Sequence, residues 1–177
     1  MRRVASIDPS TTILGFSSRI PVFVSGAALA KLGHPLGEVN ITRACGRTGL
    51  PQMVSSNSSC SYAELAQARV SPDQPLFFQL YKNKNDDTAR ARVKYVEELG
   101  YKAIFLTVDA VVMSNRERDI KAKPGDEDQE VDVHAAEGGS LAELTEEVDE
   151  VEVLDLSGTA GALVANDDRD MTWEKAR

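Results

Sequence analysis

The run Ala103-Ile104-Phe105-Leu106 leads into Thr107-Val108-Asp109, and Arg116-Glu117-Arg118-Asp119 follows shortly after. An apolar strand of this kind delivers a hydroxyl and a carboxylate at its carboxyl end, where parallel α/β barrels keep their chemistry. An aspartate there usually needs a histidine partner from later in the fold. Three earlier apolar runs also end on polar or small residues, at Ser25-Gly26-Ala27-Ala28, Ser55-Ser56 and Gln79-Leu80-Tyr81. If the strands are parallel, all four ends meet at one mouth. Hydroxyls, an amide and a small-residue loop there suit a flat heteroaromatic ring with many donors and acceptors. Small residues at 26–28 let backbone amides approach such a ring closely. None of the four ends carries a glycine-rich phosphate loop of the dinucleotide or P-loop type.

The elements that must position these groups are legible in outline. Pro21 to Ser25, Pro51 to Ser55, Leu76 to Tyr81 and Ala103 to Asp109 read as strands. Thr11 to Gly15 reads as a small added strand before them. The spacing predicts a helix from Leu36 to a stop at Gly49. A second helix starts at the capping box Ser61-Tyr62-Ala63-Glu64, and a third runs from Asp86 and Asp87 to Gly100. Near-continuous apolar strands alternating with helices imply a parallel sheet covered on both faces. The expected fold is α/β: a partial (β/α)8 barrel of about four parallel strands, in a chain of 177 residues against ~250 for a full barrel.

Charge divides the chain. Residues 124–168 hold 15 of its 28 acidic residues and no Lys or Arg, leaving 20 basic against 13 acidic elsewhere. The acidic stretch reads as a solvated loop. A capping box at Ser140 opens a short amphipathic helix bearing Leu141, Leu144, Val148 and Val151. Asp170 to Glu174 reads as the start of a further helix. The expected divisions are therefore 1–123, 124–169 and 170–177. No basic patch interleaved with aromatics points to nucleic acid. No apolar run approaches the ~20 residues of a membrane span, and no apolar signal core follows Arg2 and Arg3. Cys45 and Cys60 lack metal spacing and read as free thiols, and no metal is expected. His34 reads as a loop residue and His134 as a solvated one.

Taken together, several segments resemble the FMN-dependent 2-hydroxy-acid oxidoreductases, of the fungal flavocytochrome L-lactate dehydrogenase and glycolate oxidase type. They are Ser10 to Gly15, Pro21 to Glu38, Pro51 to Ser55, Ser59 to Ser61, Phe78 to Tyr81, Leu99 to Ala103, Leu106 to Ala110, Arg116 to Asp119 and Thr172-Trp173. The resemblance implies FMN as cofactor and a small L-2-hydroxy acid such as L-lactate as substrate. It implies that Gly26, Ala27 and Ala28 line the flavin ring, and that Ser55, Gln79 and Thr107 bond its polar edge. Tyr81 would donate to the substrate, Asp109 would orient a catalytic histidine, and Arg116 would attract the anion. Where the family carries threonine this chain has Ala27, and Ala110 to Ser114 departs from the family's Pro- and Gly-bearing turn.

The resemblance places the catalytic histidine, a flavin-polarising lysine, a substrate-clamping arginine and the phosphate site in later strands outside these 177 residues. The expectation is therefore an incomplete site, inactive alone. The alternative is a non-catalytic half-barrel remnant, or an interaction module that self-associates through exposed sheet edges. Flavocytochrome relatives are mitochondrial, but no targeting segment fixes a compartment here.

Overall fold

The computed structural model of the chain describes residues 5–109 and 166–176. In chain order the elements are β1 (Thr11–Ile13), β2 (Phe16–Ser18), α1 (Glu38–Thr48), β3 (Gln52–Ser55), α2 (Tyr62–Gln67), β4 (Leu76–Tyr81), α3 (Asp86–Glu98) and β5 (Ala103–Thr107). Strands β3, β4 and β5 form a parallel sheet in that order. Its register pairs Val54 with Phe78 and Phe78 with Ile104, then Ser55 with Gln79 and Tyr81 with Thr107.

Alternation along β4 divides its side chains between two environments. Leu76, Phe78 and Leu80 join Val54, Cys60, Tyr62, Leu65, Val96 and Tyr101 in the core beneath α2 and α3. Phe77 faces the other way, into a box with Phe16, Phe23 and Phe105 whose ring centroids lie 5.6 to 6.2 Å apart. Gln79 and Tyr81 share Phe77's phase and stand above that box. A strand buried on both sides needs an apolar residue at nearly every position, and Leu76-Phe77-Phe78 supplies three in succession, each fully buried.

The helix signals act as expected. The Ser61 hydroxyl accepts from the Glu64 amide at 3.2 Å, and the Glu64 carboxylate accepts from the Ser61 amide at 2.8 Å. At α3 the cap is Asn85, whose side chain accepts from the Asp87 and Thr88 amides, with Asp86 and Asp87 behind it in the first turn. Gly49 and Gly100 take positive φ, 70° and 78°, and end α1 and α3. Cys45 and Cys60 are free and buried.

Two expectations need correction and a third is extended. The strand at 21–25 shrinks to one parallel bridge, Val24 to Gln52. The Ser18 hydroxyl donates to the carbonyls of Ile20 and Val22, and the Val22 amide donates to Ile20, so the chain bends just before Val24. The added strand at Thr11 is half of a hairpin: β1 and β2 pair antiparallel around Leu14-Gly15, both at positive φ, as a two-residue type I′ turn requires. Helix α1 starts at Glu38 rather than Leu36, because Gly37 sits at φ 47°, ψ −132°. The helix read at Ser140 lies outside the described residues.

Residues 166–168 return to the loop after β4. Asp167 forms an antiparallel bridge with Asn83, the Lys84 amide donates to Asn166 and the Asp168 amide to Lys82. Lys82 also pairs with Asp168 at 3.3 Å and reaches Asp86. Beyond this, Thr172 starts a turn: its hydroxyl accepts from the Lys175 amide and its carbonyl from Ala176. No helix is assigned at Asp170 to Glu174 among the described residues, only this turn.

Candidate functional site

The parallel register stacks the chemistry-bearing residues in two levels above the phenylalanine box. Ser55 and Gln79 are direct partners on β3 and β4. One level higher, Tyr81 and Thr107 are partners on β4 and β5. Gly26 closes the same wall from the first strand's exit. A Cβ built there would lie 2.5 Å from Gln79 Oε1 and 3.5 Å from the Ser55 Cα. The group that approaches Gly26 closely is the Gln79 side-chain amide. Ala27 and Ala28 follow on the exposed side of the same loop.

Ser55 is buried, and its hydroxyl oxygen accepts from the Asn57 amide at 3.1 Å, leaving its proton to donate elsewhere. Gln79 and Thr107 make no side-chain hydrogen bond among the described residues. A polar-edged, apolar-bodied ring fits this arrangement. Ser55 and the Gln79 amide lie beside a glycine with no side chain, with Thr107 one level higher, over a floor of four phenyl rings. The residues present therefore fit an isoalloxazine, and Gly26, Ser55, Gln79 and Thr107 would hold it.

At the rim, the Tyr81 hydroxyl donates to Asp109 Oδ1 at 3.2 Å. Partial burial, then the Asp109 charge and its hydrogen bond, then the Asp167 charge, push the Tyr81 phenol above its ordinary pKa. It therefore stays protonated and remains a donor at neutral pH. Sequence reasoning assigned Tyr81 and Asp109 separate tasks and did not foresee this bond. Arg116 lies outside the described residues. His34 is exposed: its Nδ1 accepts from the Leu36 amide at 3.1 Å and lies 2.9 Å from the Asn40 amide nitrogen. That is a loop role.

The site loop offers a direct test. Gly26→Ala should change stability by less than ~1 kcal/mol, because the colliding atom is the free end of a flexible side chain. It should displace the Gln79 amide and weaken FMN binding about tenfold, the cost of one hydrogen bond. Thermal melts beside a flavin fluorescence titration measure both. An alanine variant binding as tightly as the parent would remove Gly26 from the site.

Asp167, beside Tyr81, was missed. Nothing in its surroundings in the sequence announces burial, since it sits at the end of the acidic stretch. Among the described residues, no group of His, Cys, Asp or Glu could hold a metal ion, and no helix is long and apolar enough to cross a membrane.

Comparison with known proteins identifies the family. The L-lactate dehydrogenase (cytochrome) of Wickerhamomyces anomalus is 41% identical over 78% of this chain, covering 25% of that protein. Glycolate oxidase 3 of Arabidopsis thaliana is 41% identical over 67% of this chain and 31% of its own length. In structure, the recombinant flavin-binding domain of baker's yeast flavocytochrome b2 superposes with a TM-score of 0.64. It is 45% identical and matches 67% of this chain and 31% of that domain. The chain thus spans about a quarter to a third of the length of the relatives it matches. A family model described as FMN-dependent dehydrogenase matches residues 1–176, and with these likenesses and the α/β fold the chain belongs to that family.

Proposed function

We propose that this chain forms the flavin-facing and substrate-facing wall of an FMN-dependent oxidation of a small L-2-hydroxy acid, of which L-lactate is the simplest. The observation that carries the reading is the grouping of Gly26, Ser55 and Gln79 on one level, with Thr107 beside Tyr81 on the next and the Tyr81–Asp109 pair at the rim. Relatives named as L-lactate dehydrogenase, glycolate oxidase and 2-hydroxyacid oxidase support the substrate class.

Bound FMN would supply the acceptor for a hydride equivalent. The chain's own residues do the rest of what can be argued. Gly26 lets the ring lie close to the backbone, and Ala27 and Ala28 extend that contact. Ser55 and Thr107 donate to the ring's polar edge, and the Gln79 amide both donates and accepts there. Tyr81, kept protonated by its neighbours, turns its hydroxyl from Asp109 to a substrate carboxylate or hydroxyl. Asp109, released from the tyrosine, is the carboxylate that steadies a protonated base. Arg116 draws the anionic substrate to the mouth.

The division 1–123, 124–169 and 170–177 belongs to the same reading: a half-barrel, an acidic excursion and the start of the next barrel helix. Neither histidine suits the role of general base, so the 177-residue polypeptide alone is proposed to bind substrate and flavin without efficient turnover. Loss of a positioned base removes about 10²–10⁴ in rate. The test is to load the purified chain with FMN and add L-lactate anaerobically. Flavin fluorescence should be quenched on loading, with only slow bleaching afterwards. No quenching sinks the flavin wall, and rapid bleaching sinks the missing base. A second reading, self-association through the edge of β5 that pairs with no strand among the described residues, draws on Ile104 at 43% and Val108 at 59% exposure.

A further inference from the structure

Glu38 is a fully buried carboxylate, 2% exposed, at the first position of α1. Its Oε1 accepts from the Ala30 amide at 3.0 Å and from the Ser59 amide at 2.9 Å. Its Oε2 accepts from the Ser59 hydroxyl at 2.7 Å. That hydroxyl oxygen in turn accepts from the Lys31 amide at 2.9 Å. Four hydrogen bonds thus converge on two side chains and join residues 30–31 to residue 59. Three donors pointing at one group call for a side chain that only accepts, which an ionised carboxylate does. Burial pushes the Glu38 pKa up, but the donors from Ser59 and Ala30 outweigh it and hold it below its ordinary value.

We propose that Glu38 is a positioning residue: its carboxylate ties the loop carrying Gly26, Ala27 and Ala28 to the turn after β3, and so sets the spacing of the flavin wall. The proposal rests on the flavin reading of that wall. The loop is pinned at two places. At Gly26 it abuts the Gln79 amide, and at Ala30 and Lys31 it is held by Glu38 and Ser59. Between them Leu29 takes φ 56°, a left-handed conformation that costs a non-glycine residue energy and persists only where its surroundings impose it. The Ala30 amide bond to Glu38 immediately follows Leu29. The start of α1 also leaves no slack: a Cβ at Gly37 would meet the Lys31 side chain at 2.8 Å and Cys60 Sγ at 3.1 Å.

The test compares Glu38→Ala and Glu38→Gln with Val96→Ala, a core truncation in α3 away from the wall. Amide hydrogen exchange and FMN fluorescence titration are read on each. In Glu38→Ala the amides of Ala30, Lys31 and Ser59 should exchange about 10–100-fold faster relative to those of Val54 and Phe78. FMN affinity should fall by about tenfold or more. Glu38→Gln keeps one acceptor oxygen and should recover part of both, and it decides the matter if the alanine variant does not fold. The proposal is overturned if exchange at the three amides is unchanged, or if Val96→Ala speeds them equally. It is also overturned if flavin affinity is unchanged in a chain whose parent binds FMN. Should the parent bind no FMN, the failure falls on the flavin reading, and the exchange data still decide the tie.

Discussion

Truncating Phe78 to alanine should cost about 3–5 kcal/mol, the range for removing a buried aromatic side chain and leaving its cavity. Phe78 is fully buried at the centre of the sheet. Its ring meets Tyr62 edge-on at 4.9 Å and 73°, and Tyr101 at 6.0 Å and 83°. Both tyrosines are anchored: the Tyr62 hydroxyl donates to the Ser56 carbonyl at 2.7 Å and the Tyr101 hydroxyl to the Tyr62 carbonyl at 3.0 Å. These anchors stop the rings from collapsing into the space a truncation leaves, which puts the expected cost at the upper end. Against a typical total of about 5–15 kcal/mol, the loss is a large fraction of what holds a domain folded. Its consequence reaches the site, because Ser55 and Gln79 follow Val54 and Phe78 directly in the paired register. Urea unfolding with the slope m held constant measures it. A loss under ~1 kcal/mol would mean that α2, α3 and the sheet do not pack around this ring.

A second large effect concerns pH. Burial pushes the Asp167 carboxyl up to about 6, although Arg92, Arg169 and Lys84 pull it down. Its Oδ2 has no hydrogen-bond partner among the described residues, so the cations compensate only in part for lost water. An acid whose pKa is raised on folding binds its proton more tightly in the native state. Its favourable contribution is present below the unfolded value near 4 and is lost as pH rises through about 6. Asp167→Asn should therefore match the parent near pH 4 and exceed it by ~1–3 kcal/mol above pH 7. Urea midpoints at the two pH values measure this. Should the asparagine variant be the less stable at pH 7.5, the three cations hold Asp167 as an ion, and desolvation is not the dominant influence.

The helix ends and the three paired strands were legible because their causes are local. Gly49 and Gly100 stop helices through a left-handed backbone that other residues adopt at a cost. Ser61 and Glu64 satisfy each other's amides within one turn. Leu76 to Leu80 and Ala103 to Leu106 carry apolar residues at nearly every position, which only a strand between two covered faces requires. The segment 21–25 looks equally apolar, yet only Val24 pairs. Pairing depends on where Pro51 to Met53 runs and on the bend that Ser18 imposes, and neither is visible in a window of five residues.

The site divides in the same way. Residue types and order alone determined that polar groups end successive strands, and that glycine stands where a close approach is needed. Both follow from the period of a strand and from the volume of a side chain. Only the tertiary structure decided which groups meet. Tyr81 donates to Asp109 across 28 positions, Glu38 gathers donors from both sides of the wall, and Asp167 returns from 84 positions along the chain to lie beside Asn83. A hydrogen bond falls off within a few tenths of an ångström, and distances that fine between distant residues are set by packing, not by spacing along a chain.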